Sequence, residues 1–397
     1  MATLSFEDAR QCVFERIRGA IGDIPSQDAS LADVQGRVLA EDICADRDYP
    51  PLARSVRDGF AIRSQDLPGE VTVIGEVAAG DVSAVAVGSG QAIEIMTGAP
   101  LPAGADAVLM VEHAVRDGTT IRTGRTVRSG EFVNFQGSEA KAGDVLAAKG
   151  VRAGFAEVAL LASTGHVRVR VYKRPRVAIL ATGNEIVEVK EPVLPQQIRN
   201  SNAYSLAAQV RRAGGVPSIL PVAKDQLDMT ANLVGEGLDY DLLLISGGVS
   251  AGKYDVVEQA LARHDAEFYF DRVRIQPGQP LVFGRARGTF FFGLPGNPAS
   301  TMVTFEVFAR AALDLLGGQT ESPLPLTLAR LTREFTHKPG LTRFLPAHLS
   351  DGTAEITPIP WQGSSDVPAL SRANAFLVAD AERESWKAGD LIQVFLK

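Results

Sequence analysis

Three carboxylates in three separate loops, Glu185 in ATGNEI, Asp225 in VAKDQL and Asp255 in GKYDVV, give the chain a set of hard oxygen ligands. Such ligands suit Mg²⁺, which takes one or two carboxylates and completes its shell with water and substrate phosphate. Two glycine-rich turns accompany them, ISGGVSAG at 245–252 and GLPGNPAS at 293–300. Glycines let the backbone come close to a ligand, and N–H groups at the start of a helix offer partial positive charge to an oxyanion. Each residue also has a plainer reading. Asp255 can cap the helix that follows, and Glu185 and Asp225 can be solvated loop residues. Asp58 in SVRDGFAI sits in an Asp-Gly pair, which on sequence grammar is most simply a turn. Thr97 in IMTGAP stands where a strand ends at a glycine, so its hydroxyl can serve the turn or a ligand. His113, His166, His264, His337 and His348 lack ligand spacing, and no GxSxG, HExxH or GxxxxGK[ST] motif occurs.

The elements that must position these groups alternate between strand and helix from about 174 to 318. VAILAT, PSILPV, DLLLIS, LVFG and TFFFGL read as strands, and SLAAQVRRAGG, QLDMTANLVGEGL, VVEQALARH and PASTMVTFEVFARAALDLL as helices. That alternation predicts an α/β fold with a parallel sheet covered on both faces. Ligands of such sheets sit beyond the carboxyl ends of the strands. There the sequence puts Thr182 to Glu185, Lys224 and Asp225, Ser246 to Gly252, and Leu294 to Ser300, all on one edge.

The remaining segments are of other kinds. Residues 1–22 read as an N-terminal helix packing on the α/β domain, and 28–43 as a second short helical element leading to extended chain at Pro50 and Pro51. Between 44 and 141, short β-type runs divided by glycines predict a β-rich domain. Residues 23–43 and 142–173, with a helix over 152–162 closed by Gly165, form an extended connecting domain because neither piece buries a core alone. The α/β domain covers 174–318. From 319 to 397 five β runs, LTLARLTREF, TRFLPAHL, AEITPIP, AFLVAD and LIQVFLK, predict a small C-terminal β-barrel.

Composition narrows the function classes. A chain of 397 residues exceeds one ordinary domain, and 45% hydrophobic with 22% charged residues is ordinary for a globular protein. The charge of −7 argues against general nucleic-acid binding, although a local pocket can still hold an anionic small molecule. No apolar run is long enough to span a bilayer. Cys12 and Cys44 are too few for a disulfide framework, so the cytoplasm is the expected compartment.

Read in order, SVRDGFAI, IMTGAPLPAGADAVLMVE, ATGNEI, QIRNSNAYSLAAQV, ISGGVSAGKYD, IQPGQPLVFG and FFGLPGNPAS resemble the molybdopterin molybdenumtransferase family, related to the C-terminal domain of gephyrin. The resemblance covers nearly the whole chain. It implies an enzyme that inserts molybdate into adenylylated molybdopterin with release of AMP in a Mg²⁺-dependent step. It also implies a central molybdopterin-binding α/β domain and a homodimer whose composite active site joins that domain to the β-rich domain of the other subunit. Contact with molybdopterin adenylyltransferase and molybdoenzyme chaperones goes with this role. By position, the resemblance makes Asp58, Thr97, Glu185, Asp225 and Asp255 catalytic. Asp225 and Asp255, with Glu185, would face the metal, Glu185 also orienting substrate or water. Ser246, Gly247, Gly248, Ser250, Arg274, Pro295, Gly296, Asn297, Pro298 and Ser300 would hold the phosphorylated pterin. Asp58 and Thr97 would reach molybdate or the dithiolene.

Two positions depart from the family pattern. Gln276 and Gln279 stand where relatives often carry lysine, so anion attraction is expected from Arg272, Arg274 or Lys253. Asn134 stands where arginine is frequent. A molybdopterin adenylyltransferase is a poorer match, because that activity needs about one domain. A scaffold is also disfavoured, because it need not keep all five polar positions.

Overall fold

The computed structural model describes residues 3–248 and 256–397. Two compact units divide the chain: Met1–Ala40, Gly150–Gly154 and Arg168–Lys397 form one, Glu41–Lys149 and Phe155–Val167 the other. No helix among the described residues is long and apolar enough to cross a membrane.

A six-stranded sheet organises the first unit. Its order from edge to edge is Val216–Ile219, Arg176–Ala181, Leu242–Ser246, Thr289–Leu294, Val282–Ala286, Glu267–Phe270. The first four strands are parallel, and the continuous apolar runs of Arg176–Ala181, Leu242–Ser246 and Thr289–Leu294 are explained by burial on both faces. Successive side chains alternate between two cores. Val177, Ile179, Leu242, Leu244, Phe290 and Phe292 face one core, whereas Ala178, Leu180, Leu243, Ile245 and Phe291 face the other. Helices Phe6–Arg18, Ser201–Arg212 and Pro298–Thr304 cover the first face, and Leu227–Gly237 and Val256–Ala262 the second.

Beyond the parallel set the sheet continues antiparallel, which the alternation of strands and helices did not reveal. Val282–Ala286 and Thr289–Leu294 are joined without a crossover helix, by a hairpin whose Arg287 and Gly288 have φ of 48° and 90°. Positive φ at both central positions is the tight-hairpin geometry that keeps neighbouring strands antiparallel.

The N-terminal helix spans Phe6–Arg18, with the Ser5 hydroxyl accepting from the Asp8 N–H. Phe6, Ala9, Val13 and Ile17, spaced by three and four residues, bury one face against the α/β core. The helical reading of 28–43 is corrected. Ser26–Ser30 is a strand antiparallel to Arg168–Tyr172, followed by one 3-10 turn at Leu31–Asp33. Ser30 donates to Asp33, a local bond that favours a turn, and Gly36 at φ 75° ends the segment.

All five C-terminal β runs form strands, and they close on themselves. Thr342–Leu349, Glu355–Pro358, Leu326–Leu331, Leu391–Leu396 and Ala375–Ala379 pair in that order, and the last returns to the first. Leu331, Ala347, Ile356, Leu377 and Val394 fill the interior.

The second unit is built on another six-stranded sheet, ordered Ala107–Met110, Gly59–Ile62, Gln91–Ile95, Gly69–Val77, Thr120–Thr123, Val115–Asp117. Here the Asp58-Gly59 pair is not a two-residue turn. Gly59 opens a strand paired on both sides, opposite Ile95 and Met110. Its lack of a side chain answers to space, because a Cβ there would lie 2.0 Å from the Leu109 carbonyl oxygen. We therefore expect Gly59→Ala to destabilise this unit by about 3 kcal/mol, through overpacking against fixed backbone. Chemical denaturation checks it, and an unchanged midpoint would contradict the stated contact.

Candidate functional site

At the carboxyl ends of Arg176–Ala181, Leu242–Ser246 and Thr289–Leu294 the first unit opens into a crevice of about 500 Å³. Both glycine turns reach its wall, through Ser246, Gly247 and Gly248 and through Pro295 to Pro298. Gly247 and Gly248 have φ of 93° and 65°, consecutive left-handed conformations that few L-residues adopt. Space forbids a side chain as well: a Cβ on Gly247 would lie 2.7 Å from the Thr182 carbonyl oxygen, and one on Gly248 2.6 Å from Val257. The Gly247 N–H donates to the Leu294 carbonyl at 3.1 Å, so the first turn is tied to the strand that leads into the second.

Glu185 and Asp225 both line this crevice and are solvent-exposed. Gly183, at φ 140°, makes room for Glu185, since a Cβ there would sit 2.5 Å from Glu185 Oε2. The Asp225 N–H donates to Asn184 Oδ1 at 3.1 Å, which joins the two carboxylate loops. Two exposed carboxylates that have no ion-pair partner among the described residues fit a hydrated Mg²⁺, which needs no more than that from protein. Among the described residues no group of three His, Cys, Asp or Glu side chains is placed to hold a metal alone. Asp255, Ser250 and Lys253 lie outside the described residues.

Two expected contacts are not on this wall. Ser300 is 4% exposed inside the helix that starts at Pro298, and its carbonyl accepts from the Thr304 hydroxyl at 2.7 Å. Arg274 instead lines a separate cavity of about 480 Å³ beside Ser5, Glu7, Thr342 and Asp380. The backbone directs it there: the Arg274 N–H donates to Leu4 and its carbonyl accepts from Thr342. Neither of the two predicted glycine turns and none of the predicted carboxylates line that cavity. Arg272 and the glutamines Gln276 and Gln279 are exposed and do not line the crevice.

Sequence reasoning missed the third wall. Arg199, Asn200, Ser201 and Asn202 line the crevice at the start of helix Ser201–Arg212. Asn200 caps that helix by accepting from the Ala203 N–H at 3.2 Å. An Asn directly before an amphipathic run is a helix-start signal, and it was the available clue. Arg199 is the cation on this wall, with its guanidinium resting on the Val189 carbonyl at 3.0 Å. Asn200 Nδ2, Asn202 Oδ1 and Thr182 Oγ1 are buried polar atoms without a partner among the described residues. Ser364 was also unforeseen. It braces the second turn, accepting from the Ala299 N–H and from Asn297 Nδ2, both at 2.9 Å.

In the second unit, Asp58 and Thr97 meet. The Thr97 N–H and hydroxyl both donate to Asp58 Oδ1, at 2.6 and 2.9 Å. Those bonds, the backbone one first, hold the exposed carboxyl below its usual range. Asn134 faces Arg54 across a short ladder, and both side chains donate to the same Glu139 oxygen at 2.7 Å.

Comparison with known proteins covers all parts of the chain. Residues 4–165 match the family described as MoeA N-terminal region (domain I and II), 178–315 the probable molybdopterin binding domain, and 328–397 the MoeA C-terminal region (domain IV). A protein of Staphylococcus epidermidis named molybdopterin molybdenumtransferase is 34% identical, over 94% of this chain and 92% of its own length. One of the same name from Staphylococcus aureus is 33% identical over 96% and 94%. The crystal structure of the molybdopterin biosynthesis moeA protein of Pyrococcus horikoshii OT3 matches with a TM-score of 0.81, 29% identity and full coverage of both chains.

The Asp58–Thr97 bonds give a pH-dependent expectation. Because the folded carboxyl titrates below its ordinary value of about 3.9, its stabilising contribution is complete above that value and is lost as pH falls through the folded one. Thr97→Val removes the hydroxyl and keeps the N–H, so Asp58 should move up without reaching the ordinary value. Titration followed by NMR measures this, and an unmoved Asp58 would refute the hydroxyl's share.

Proposed function

This chain belongs to the molybdopterin molybdenumtransferase family and acts in molybdenum cofactor biosynthesis by inserting molybdenum; from that premise we propose that adenylylated molybdopterin binds in the crevice and that AMP leaves as molybdate is ligated to the dithiolene. The observation that carries this reading is the convergence of two glycine turns and two exposed carboxylates on one rim. With the Gly247 N–H given to Leu294, the Gly248 N–H is the donor of this turn that suits a phosphoryl group of the substrate. Glu185 and Asp225 would hold Mg²⁺, which when bound neutralises charge at the pyrophosphate link. Thr97 holds Asp58 ionised and oriented, so this carboxylate can accept a hydrogen bond from a ligand but not donate one at neutral pH.

The same reading takes the working form to be a homodimer in which Asp58 and Thr97 of one subunit serve the crevice of the other. It takes the compartment to be the cytoplasm, consistent with the free thiols of Cys12 and Cys44.

The direct test supplies adenylylated molybdopterin with and without molybdate and measures AMP. Release that depends on molybdate supports the proposal, and an intact dimer that releases none points to a scaffold. Asp225→Ala and Glu185→Ala should each lower Mg²⁺-dependent turnover about 100-fold. Their melting temperatures should stay unchanged, because both side chains are exposed. Wild-type turnover in both variants would remove the metal assignment. Mixing Asp58→Ala with Glu185→Ala subunits should restore part of the activity if each site takes residues from two chains, and no recovery would exclude a shared site.

A further inference from the structure

Helix Ser201–Arg212 bears on the crevice through one side chain that nothing so far has given a role. Asn202 Nδ2 donates one proton to the Ser246 hydroxyl oxygen at 2.9 Å and the other to the Gly296 carbonyl at 2.7 Å. Both glycine turns are thus bound to a single amide group. The Gly296 carbonyl can only accept, which fixes the amide's orientation.

Two consequences follow for a ligand. Because the Ser246 oxygen accepts from Asn202, its own proton is free to point elsewhere. Ser246 is 3% exposed, lines the crevice and directly precedes Gly247 and Gly248. Among the described residues its hydroxyl has no hydrogen-bond acceptor in the protein. Asn202 therefore makes Ser246 a donor toward the crevice. In the second turn, holding the Gly296 carbonyl also fixes the Asn297 N–H, because the two point in opposite directions across a planar trans peptide.

The amide's own oxygen, Asn202 Oδ1, is buried without a partner among the described residues. A residue kept for packing alone would gain by shedding that unpaired acceptor. Further along the same face, Gln209 Nε2 donates to Met302 O and Glu306 Oε1 at 3.0 and 2.9 Å, and Arg212 reaches Glu306 at 3.0 Å. The helix that carries Asn202 is thereby fixed to the helix that begins at the second turn.

We propose that Asn202 is a positioning residue for the phosphorylated end of the pterin: it sets the Ser246 hydroxyl as donor and holds the two turns in register so that they grip one phosphoryl group. The proposal rests on the functional reading above and names a determinant of that site.

Asn202→Asp tests it with almost no change of shape. A carboxylate cannot donate to the Gly296 carbonyl, and it accepts the Ser246 proton, so an acceptor oxygen then faces the phosphate. In steady-state assays with adenylylated molybdopterin, molybdate and Mg²⁺, the Asn202→Asp enzyme should show KM raised at least tenfold with kcat within about threefold. Asn202→Ala should be intermediate, and its combination with Ser246→Ala should cost little more than Ser246→Ala alone, since the two act through one contact. Binding measured with molybdopterin and with its dephosphorylated form separates positioning from mere structure: only the phosphorylated ligand should weaken, by tenfold or more. Equal weakening of both ligands, or wild-type KM in both Asn202 variants, would overturn the proposal. An active wild-type enzyme with insensitive Asn202 variants defeats this inference alone, whereas a wild-type enzyme that never releases AMP defeats the functional reading beneath it.

Discussion

Gripping an oxyanion with main-chain N–H groups demands that backbone approach ligand without intervening side chains, and the first unit is arranged around that demand. Where Leu242–Ser246 ends, the chain passes through two successive left-handed residues against the Thr182 carbonyl, and any Cβ would collide. The turn is held there by the bond from Gly247 to Leu294. One hydrogen bond thus couples the geometry of one glycine turn to the strand that delivers the next. Because both strands are buried on both faces, neither can shift to relieve a misplaced turn.

The surrounding helices extend this rigidity. Glu306 is 5% exposed, at a π-helical turn in the helix from Pro298 to Leu316, and a buried carboxylate needs compensation. Arg212, Arg310 and Gln209 supply it at 3.0, 3.1 and 2.9 Å. Removing both arginines together would leave the buried charge stranded, which costs several kcal/mol, about 3–5 for an uncompensated buried ion. The cluster is therefore better understood as fixing which helix faces meet than as net stabilisation. What it fixes is the relation between helix Ser201–Arg212 and helix Pro298–Leu316, the two that begin at the crevice.

Much of this was legible in the sequence. Continuous apolar runs, strand–helix alternation and glycines at the run ends sufficed for the α/β sheet, for the edge on which the loops gather, and for all five barrel strands. The antiparallel extension escaped because a two-residue hairpin through Arg287 and Gly288 leaves no stronger mark than a loop. The segment 28–43 was misread because its apolar residues pair with distant strands, and long-range pairing overrides local periodicity. Arg274 and Ser300 were misplaced for a shared reason: nearness in sequence to a site motif does not say which side of the backbone a side chain takes. Asn200 and Asn202 were missed because asparagines at a helix start have an ordinary capping explanation, which holds for Asn200 and hides the second use of Asn202.

A chain of net charge −7 gains nothing from its overall field toward any anionic ligand, so under the proposed function attraction must come from short-range, directed donors. Lysines at the positions of Gln276 and Gln279 would have added a diffuse positive field. Neither glutamine lines the crevice wall, where among the described residues Arg199 is the cation and its guanidinium is already held by the Val189 carbonyl. Directed donors fall off steeply with misalignment, whereas a point charge tolerates it. A crevice that relies on N–H groups and a serine hydroxyl must therefore be held more strictly than one furnished with lysines. Helix Ser201–Arg212, tied to Glu306 through Gln209 near one end and to both turns through Asn202 at the other, is the arrangement that such strictness requires.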